Sequence, residues 1–300
     1  MITLCEVGPR DGLQNEPKHV PTEDKVQFIE QVVDAGVKKV EAVSFVNPKV
    51  VPQMADAEDV MKAINKRNGV TYAGLVLSRS GLERAIETDV DLLHVVVATS
   101  DTFNQKNARR TVDKGVDENS AVIRDAKNAG RPSAAVLATS FGCPYEGHVD
   151  ETKVLHVVER FLNAGATEIV LADTTGMANP TKVKQMVRLF KENFGADTPL
   201  GLHFHNTRGL GLANVIAGYE EGVTTFDAAL GGLGGCPFAP NAVGNVASED
   251  LIHMLHEMGI ATDVDLEKLL KTANWLERVM GKTLPGMVMK AGPAYETTKA

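Results

Sequence analysis

Apolar positions along this chain fall into two alternating patterns. Amphipathic stretches over 23–35, 152–164 and 181–194 carry apolar residues three and four apart, the spacing of one buried helix face. Between such stretches lie short apolar runs at 2–7, 71–77, 92–98, 133–140 and 200–205. The run Leu92-Leu93-His94-Val95-Val96-Val97-Ala98 reads as a strand covered on both faces, the mark of a parallel sheet. A phrase joining the two patterns recurs. It reads Asp34-Ala35-Gly36-Val37-Lys38-Lys39-Val40-Glu41-Ala42, then Asn163-Ala164-Gly165 through Ala172-Asp173, then Glu220-Glu221-Gly222 through Phe226-Asp227-Ala228. Each copy puts glycine where a helix end wants a left-handed residue, then enters an apolar run with an acidic residue at or near its end. Eight strands alternating with helices predict an α/β fold, a (β/α)8 TIM barrel, with a doubly wound open sheet as the competing arrangement. No linker rich in Ser, Pro or Gly divides the chain, so one domain over 1–300 is expected. The barrel should fill about 1–258, followed by a C-terminal helical extension and a tail punctuated by Pro and Gly.

Charge narrows the choice of partners. The net charge is -8 and no Lys/Arg run exceeds Arg109-Arg110, which argues against nucleic acid. No window approaches the apolar length of a membrane span, and the N-terminus carries no basic segment leading into an apolar one. The 3 cysteines, Cys5, Cys143 and Cys236, lack Cys-x-x-Cys spacing, so a disulfide scaffold or zinc ribbon is not expected and a reducing cytoplasm is.

In a barrel of this kind the chemistry collects at the C-terminal ends of the strands. The first strand leads into Arg10-Asp11, the second carries Glu41 and the sixth ends at Asp173. The seventh ends His203-Phe204-His205, and a glycine-rich stretch with Cys236 and then Asn245 follows the eighth. His203 and His205, two apart on one strand, share a face, here the lumen. Barrel closure puts the first strand beside the eighth, bringing Asp11 and Asn245 to the same pair. A bare His-x-His can be a hydrogen-bonded strand pair, but acids at neighbouring strand ends favour a metal site. Asp11, His203, His205 and Asn245 offer oxygen and nitrogen without thiolate, a set suited to octahedral Mg2+ or Mn2+ with positions left for substrate oxygens. Arg10 beside it suits an enolate or carboxylate oxygen, with Glu41 as its natural partner. Cys236 sits among glycines where a thiol can reach over the site; Cys143 has the same Gly-Cys-Pro form, so the form does not single out either. Cys5 is expected as buried filler.

These residues resemble the 3-hydroxy-3-methylglutaryl-CoA lyase family, within the wider group of barrel metalloenzymes marked by an Asp-Arg-Glu triad. The likeness runs from Glu6 to about Leu255. It is carried by Glu6-Val7-Gly8-Pro9-Arg10-Asp11-Gly12-Leu13-Gln14-Asn15-Glu16, by Gly142-Cys143-Pro144-Tyr145-Glu146-Gly147, and by Gly232-Leu233-Gly234-Gly235-Cys236-Pro237 with Gly244-Asn245. The resemblance implies a retro-Claisen cleavage of the hydroxyacyl thioester to acetyl-CoA and acetoacetate. It assigns Asp11, His203, His205 and Asn245 to the metal, Arg10 to the developing enolate with Glu41 in support, Cys236 to mobile acid/base duty, and Asp173 to the site wall. An acyl-CoA thioester is the implied partner, and a homo-oligomer, dimer or tetramer, is expected. The chain departs from the family pattern at 77–79, 106–111 and 206–210. A lyase for a related 3-hydroxyacyl-CoA therefore stays open, as does a Claisen-type synthase; a non-catalytic barrel would need a lost ligand or a lost Arg10, and neither is lost. Gln14, Arg79, Arg109 and Arg208 are the expected substrate-side residues, the arginines as counter-charges to an anionic substrate.

Overall fold

The computed structural model describes residues 1–235 and 243–294. Eight parallel strands close into a barrel in chain order: β1 (Thr3–Glu6), β2 (Lys39–Ser44), β3 (Thr71–Val76), β4 (Leu92–Ala98), β5 (Ser133–Ala138), β6 (Glu168–Asp173), β7 (Leu200–Phe204) and β8 (Thr225–Ala228). Closure is made by β1 on β8, with Cys5 opposite Asp227 and Glu6 opposite Ala228. The open-sheet alternative is thereby excluded. Helices α1 (Thr22–Asp34), α2 (Ala57–Ala63), α3 (Arg79–Ile86), α4 (Asp101–Ala108), α5 (Val112–Asn128), α6 (Glu151–Ala164), α7 (Pro180–Phe194) and α8 (Gly211–Glu220) surround it, and α9 (Ser248–Glu257), α10 (Leu266–Met280) and α11 (Val288–Ala291) follow.

The glycines of the repeated phrase do what their position requires. Gly36, Gly165 and Gly222 all have positive φ, and a Cβ on Gly36 would meet the Asp263 carbonyl oxygen at 2.0 Å. The chain after α1 can therefore pass directly beneath the segment that begins α10. There Asp265 N–H donates to the Ala35 carbonyl at 2.7 Å, and Trp275 packs on Phe28 at 6.5 Å between ring centroids. The C-terminal helix is thus seated on the barrel's first helix.

Three local features differ from the sequence reading. The β4–β5 connection holds two helices, because Ser100 and Thr111 each start one by accepting a backbone N–H with their side-chain oxygen. The seventh strand closes at Phe204, one residue early, since His205 pairs instead with Asn245 in an isolated bridge. The punctuated tail contains the short helix α11, begun where the Asp250 carboxylate accepts the N–H groups of Met287 and Val288.

Inside the barrel the floor is ionic. Lys39 at the start of β2 reaches across to Glu168 at the start of β6, Nζ to Oε2 at 2.6 Å. Cys5 lies buried beside this pair, and burial pushes its thiol up, with Asp227 adding to the shift. It is filler, as expected.

Candidate active site

Between β1 and α1 the chain makes one wide turn, Gly8–Gly12, in which the Val7 carbonyl accepts the N–H groups of Arg10, Asp11 and Gly12. This turn folds Arg10 and Asp11 back over the barrel mouth. It depends on Glu6 beneath it, whose buried carboxylate accepts from Gly8 N–H and Leu230 N–H at 2.8 Å each and from the Ser248 hydroxyl at 2.5 Å. A Cβ on Gly8 would lie 2.5 Å from that carboxylate, so only glycine fits. Burial pushes the Glu6 carboxyl up to about 7 even against these three donors.

Arg10 is held on two sides. Its Nε donates to Glu41 Oε2 at 2.6 Å, a terminal nitrogen makes an ion pair with the same oxygen at 2.5 Å, and the other terminal nitrogen donates to Asp11 Oδ1 at 2.8 Å. Of five guanidinium hydrogens, at least one on each terminal nitrogen is left for the cavity among the described residues. Glu41 is fully buried, and its second oxygen meets His94 Nδ1 at 2.9 Å.

Asp11, His203 and His205 bring one ligand atom each to within 4.8 Å of one another. The two histidine rings stand 5.2 Å apart. Each is oriented by a bond from Nδ1: His203 to Asp227 Oδ2 at 3.1 Å, His205 to the Val243 carbonyl at 3.3 Å. Both Nε2 atoms are thus free to ligate. Asn245 arrives through the bridge to His205, and its amide nitrogen donates to Asp11 Oδ2 at 2.8 Å and to the Leu233 carbonyl at 3.0 Å. Its Oδ1 is buried with no partner among the described residues, as a ligand oxygen would be before its ion arrives. Gly234, at φ +101, makes this approach possible, since a Cβ there would sit 2.5 Å from the Asn245 amide nitrogen. Burial alone would raise the Asp11 carboxyl, but Arg10 and the two imidazoles hold it at about 2. Burial and the neighbouring His203 lower His205 to about 4, so it is a neutral donor at ordinary pH. The residues present fit a divalent cation.

The cavity that this cluster faces is polar on one side and apolar on the other. Leu75, Leu77, Val96, Val136, Ala138 and Ala172 form the apolar wall, and Gln14, Asn15, Phe103 and Asn107 rim it. Gln14 therefore lies at the cavity, and the three expected arginines stand outside it. Arg79 is an exposed residue of α3 beside Glu83 and Asp125. Arg109 is exposed at the left-handed end of α4, and Arg208 spends one terminal nitrogen on the Thr175 and Gly176 carbonyls. Arg79 opens helix α3, Arg109 closes α4 and Arg208 lies after β7, and strand-end position in sequence does not decide where such side chains point. Asp173 is likewise not on the cavity wall. It pairs in register with Phe204, on the face opposite to Ala172 and His203, and its oxygens accept Met177 N–H at 2.7 Å and Ala178 N–H at 3.0 Å. Burial raises it to about 7 against those bonds. It shapes the turn after β6 instead of facing a ligand. Cys236 lies outside the described residues. Cys143 is fully buried, with the Ser100 hydroxyl donating to its sulfur at 2.9 Å, a packing role.

Two site residues escaped the sequence reading. Asp227 had a signal, an acid near a strand end in the repeated phrase, equal to that of Glu41 and Asp173. His94 had one too: a lone polar residue in an otherwise apolar strand.

Comparison with known proteins agrees over the whole barrel. The HMGL-like family model matches residues 1–276. A hydroxymethylglutaryl-CoA lyase of Bacillus subtilis is 44% identical over 284 residues, 95% of each chain. The (R)-citramalyl-CoA lyase of Chloroflexus aurantiacus is 40% identical over 304 residues, 98% of this chain and 96% of that one. Among solved structures, an HMG-CoA lyase of A. baumannii in complex with coenzyme A and 3-methylmalate superposes with a TM-score of 0.96 at 42% identity, covering 100% of this chain and 98% of that chain. No helix among the described residues is long and apolar enough to cross a membrane.

Proposed function

The chain belongs to the HMGL-like family, and from that membership and the site's geometry we propose that it is a metal-dependent carbon–carbon lyase cleaving 3-hydroxy-3-methylglutaryl-CoA to acetyl-CoA and acetoacetate. The observation that carries the chemistry is the convergence of Asp11, His203, His205 and the unpartnered Asn245 oxygen beside Arg10. These four residues would hold a divalent ion, Mg2+ or Mn2+ given that none of them is a thiolate, and such an ion would supply Lewis acidity toward the substrate's hydroxyl oxygen. In the cleavage the hydroxyl proton passes to a base, for which the family resemblance offers the Cys236 thiolate, the C2–C3 bond breaks as the ketone forms, and the electron pair moves into the thioester enolate. Arg10, fixed between Glu41 and Asp11, turns its remaining N–H groups to that enolate oxygen and needs no reorganisation to do so. Carbon protonation then yields acetyl-CoA, with Cys236 as the acid, a role that rests on the family resemblance. The apolar wall keeps water from the carbanion. The protein is taken as a cytoplasmic homo-oligomer.

A lyase for a related 3-hydroxyacyl-CoA thioester is the second reading. It is favoured by the departures at 77–79 and 106–111, which place Leu77 and Asn107 on the cavity, and by the likeness to the citramalyl-CoA enzyme. A product assay over a panel of hydroxyacyl-CoA thioesters decides between them. With divalent metal, wild type should release acetyl-CoA and acetoacetate, and Arg10→Gln should lose turnover by a factor on the order of 100 with little change in KM. Full activity after exhaustive chelation, or a loss confined to KM, would remove the proposed mechanism.

A further inference from the structure

Opposite the metal ligands, the wall built by β3, β4 and β5 carries one polar side chain among the described residues, His94, set among Leu75, Val96, Val136 and Ala138. Its ring is 2% exposed. Nδ1 is committed to Glu41 Oε1, while Nε2 is buried with no hydrogen-bond partner among the described residues. Packing gives no reason for an imidazole here, since the residues beside it in register are Leu75 and Ala134. A ring held rigidly at one nitrogen, on a residue that lines the cavity and with its other nitrogen unsatisfied, is arranged to meet something that arrives with the ligand.

We infer that His94 is a specificity residue that binds the terminal carboxylate of the acyl group through Nε2. This deepens the proposed lyase reading and rests on it. With the hydroxyl oxygen at the metal ligands and the thioester oxygen at Arg10, the carboxylate is the remaining polar group of the acyl unit. It is the group that the apolar wall cannot otherwise satisfy. The ring then lies between two carboxylates, Glu41 fixed on β2 and the substrate's own. Glu41 is shared with Arg10, so the same buried acid aligns the enolate donor and the carboxylate donor. The preferred substrates are short hydroxyacyl thioesters that end in a carboxylate, and analogues lacking it are discriminated against.

Binding separates this from the reaction itself. Calorimetric titration of the Mn2+-loaded protein with 3-hydroxy-3-methylglutarate and with 3-hydroxy-3-methylbutyrate compares ligands with and without the second carboxylate. Wild type should prefer the dicarboxylate by about 10- to 100-fold, the scale of a hydrogen bond to a charged group. His94→Val should bring that ratio close to one while leaving the monocarboxylate's affinity unchanged, and His94→Gln, which keeps a donor near Nε2, should restore part of it. The inference is overturned if wild type shows no preference, if His94→Val keeps it, or if both ligands weaken alike, which would make the ring a prop for Glu41 alone. Should the ratios behave as expected while no 3-hydroxy-3-methylglutaryl thioester is cleaved, the proposed reaction fails and the carboxylate site stands.

Discussion

His203 needs its two nitrogens for different tasks, and Asp227 decides which does which. By accepting from Nδ1 at 3.1 Å, Asp227 keeps the hydrogen there and turns Nε2 toward Asp11 and His205. Burial would depress His203, but the bond to Asp227 raises it, and the Asp227 carboxyl is in turn held below its ordinary range. Asp227→Asn keeps the shape and lets the amide offer either an acceptor or a donor, so the ring loses its fixed tautomer. Mn2+ affinity should fall by about 10- to 100-fold with the circular dichroism spectrum unchanged. Unaltered affinity by calorimetry would show that His203 is oriented by something other than Asp227.

At the level of elements, the segment after β8 is fixed by buried acids. Glu249, on α9, accepts Gly231 N–H with Oε2 at 2.9 Å, while its Oε1 is buried without a partner among the described residues, close against Gly286. Burial pushes its carboxyl up from 4.5 to about 8. The folded state therefore keeps a proton that the unfolded chain loses above about 4.5, so this group's contribution to stability falls as pH rises from about 4.5 to 8. Glu6 adds a similar fall that ends near its own value of about 7. Glu249→Gln keeps the acceptor for Gly231 and removes the titration. Against wild type, the variant should gain stability progressively from pH 5 to pH 8, by up to about 1.4 kcal/mol per pH unit. Urea midpoints at pH 5, 6, 7 and 8 measure this. A constant difference across the series would mean that Glu249 does not carry the proton.

Across the whole barrel, Lys39 and Glu168 join opposite strands through the lumen floor, an ion pair where a barrel of this type is ordinarily filled by branched apolar residues. Such a pair is costly to desolvate and costlier to halve. Lys39→Met should destabilise by about 3 kcal/mol in denaturant unfolding, because Glu168 is left facing the interior alone. Adding Glu168→Leu should recover most of that loss. If the double variant were as unstable as the single one, the pair would be a requirement of the barrel and not a replaceable filling.

Much of the architecture was legible in the residues because the barrel is built from a local rule repeated. Helix, left-handed glycine, buried strand is a sequence of short-range preferences, and Gly36, Gly165 and Gly222 adopt the positive φ the repeated phrase requires. The metal cluster was legible for the same reason: His203 and His205 share a face by strand period alone, and closure of the ring brings Asp11 and Asn245 beside them. What short-range preference could not decide was direction. Asp173 and Asp227 sit alike at strand ends in the repeated phrase, yet strand parity turns one carboxylate onto a loop and the other into the lumen beside His203. Arg79, Arg109 and Arg208 follow strands in sequence but stand outside the cavity, since the path of the chain beyond each strand sets where a long side chain reaches. His94, one polar letter in an apolar strand, acquires meaning only when Glu41 arrives from another strand to hold one nitrogen and the cavity leaves the other unpaired. Sequence determined which residues lie on which element, through backbone preference and burial. Only the tertiary fold decided which of them meet, because those contacts join positions distant along the chain, through closure of the ring and through loops whose path no local pattern encodes.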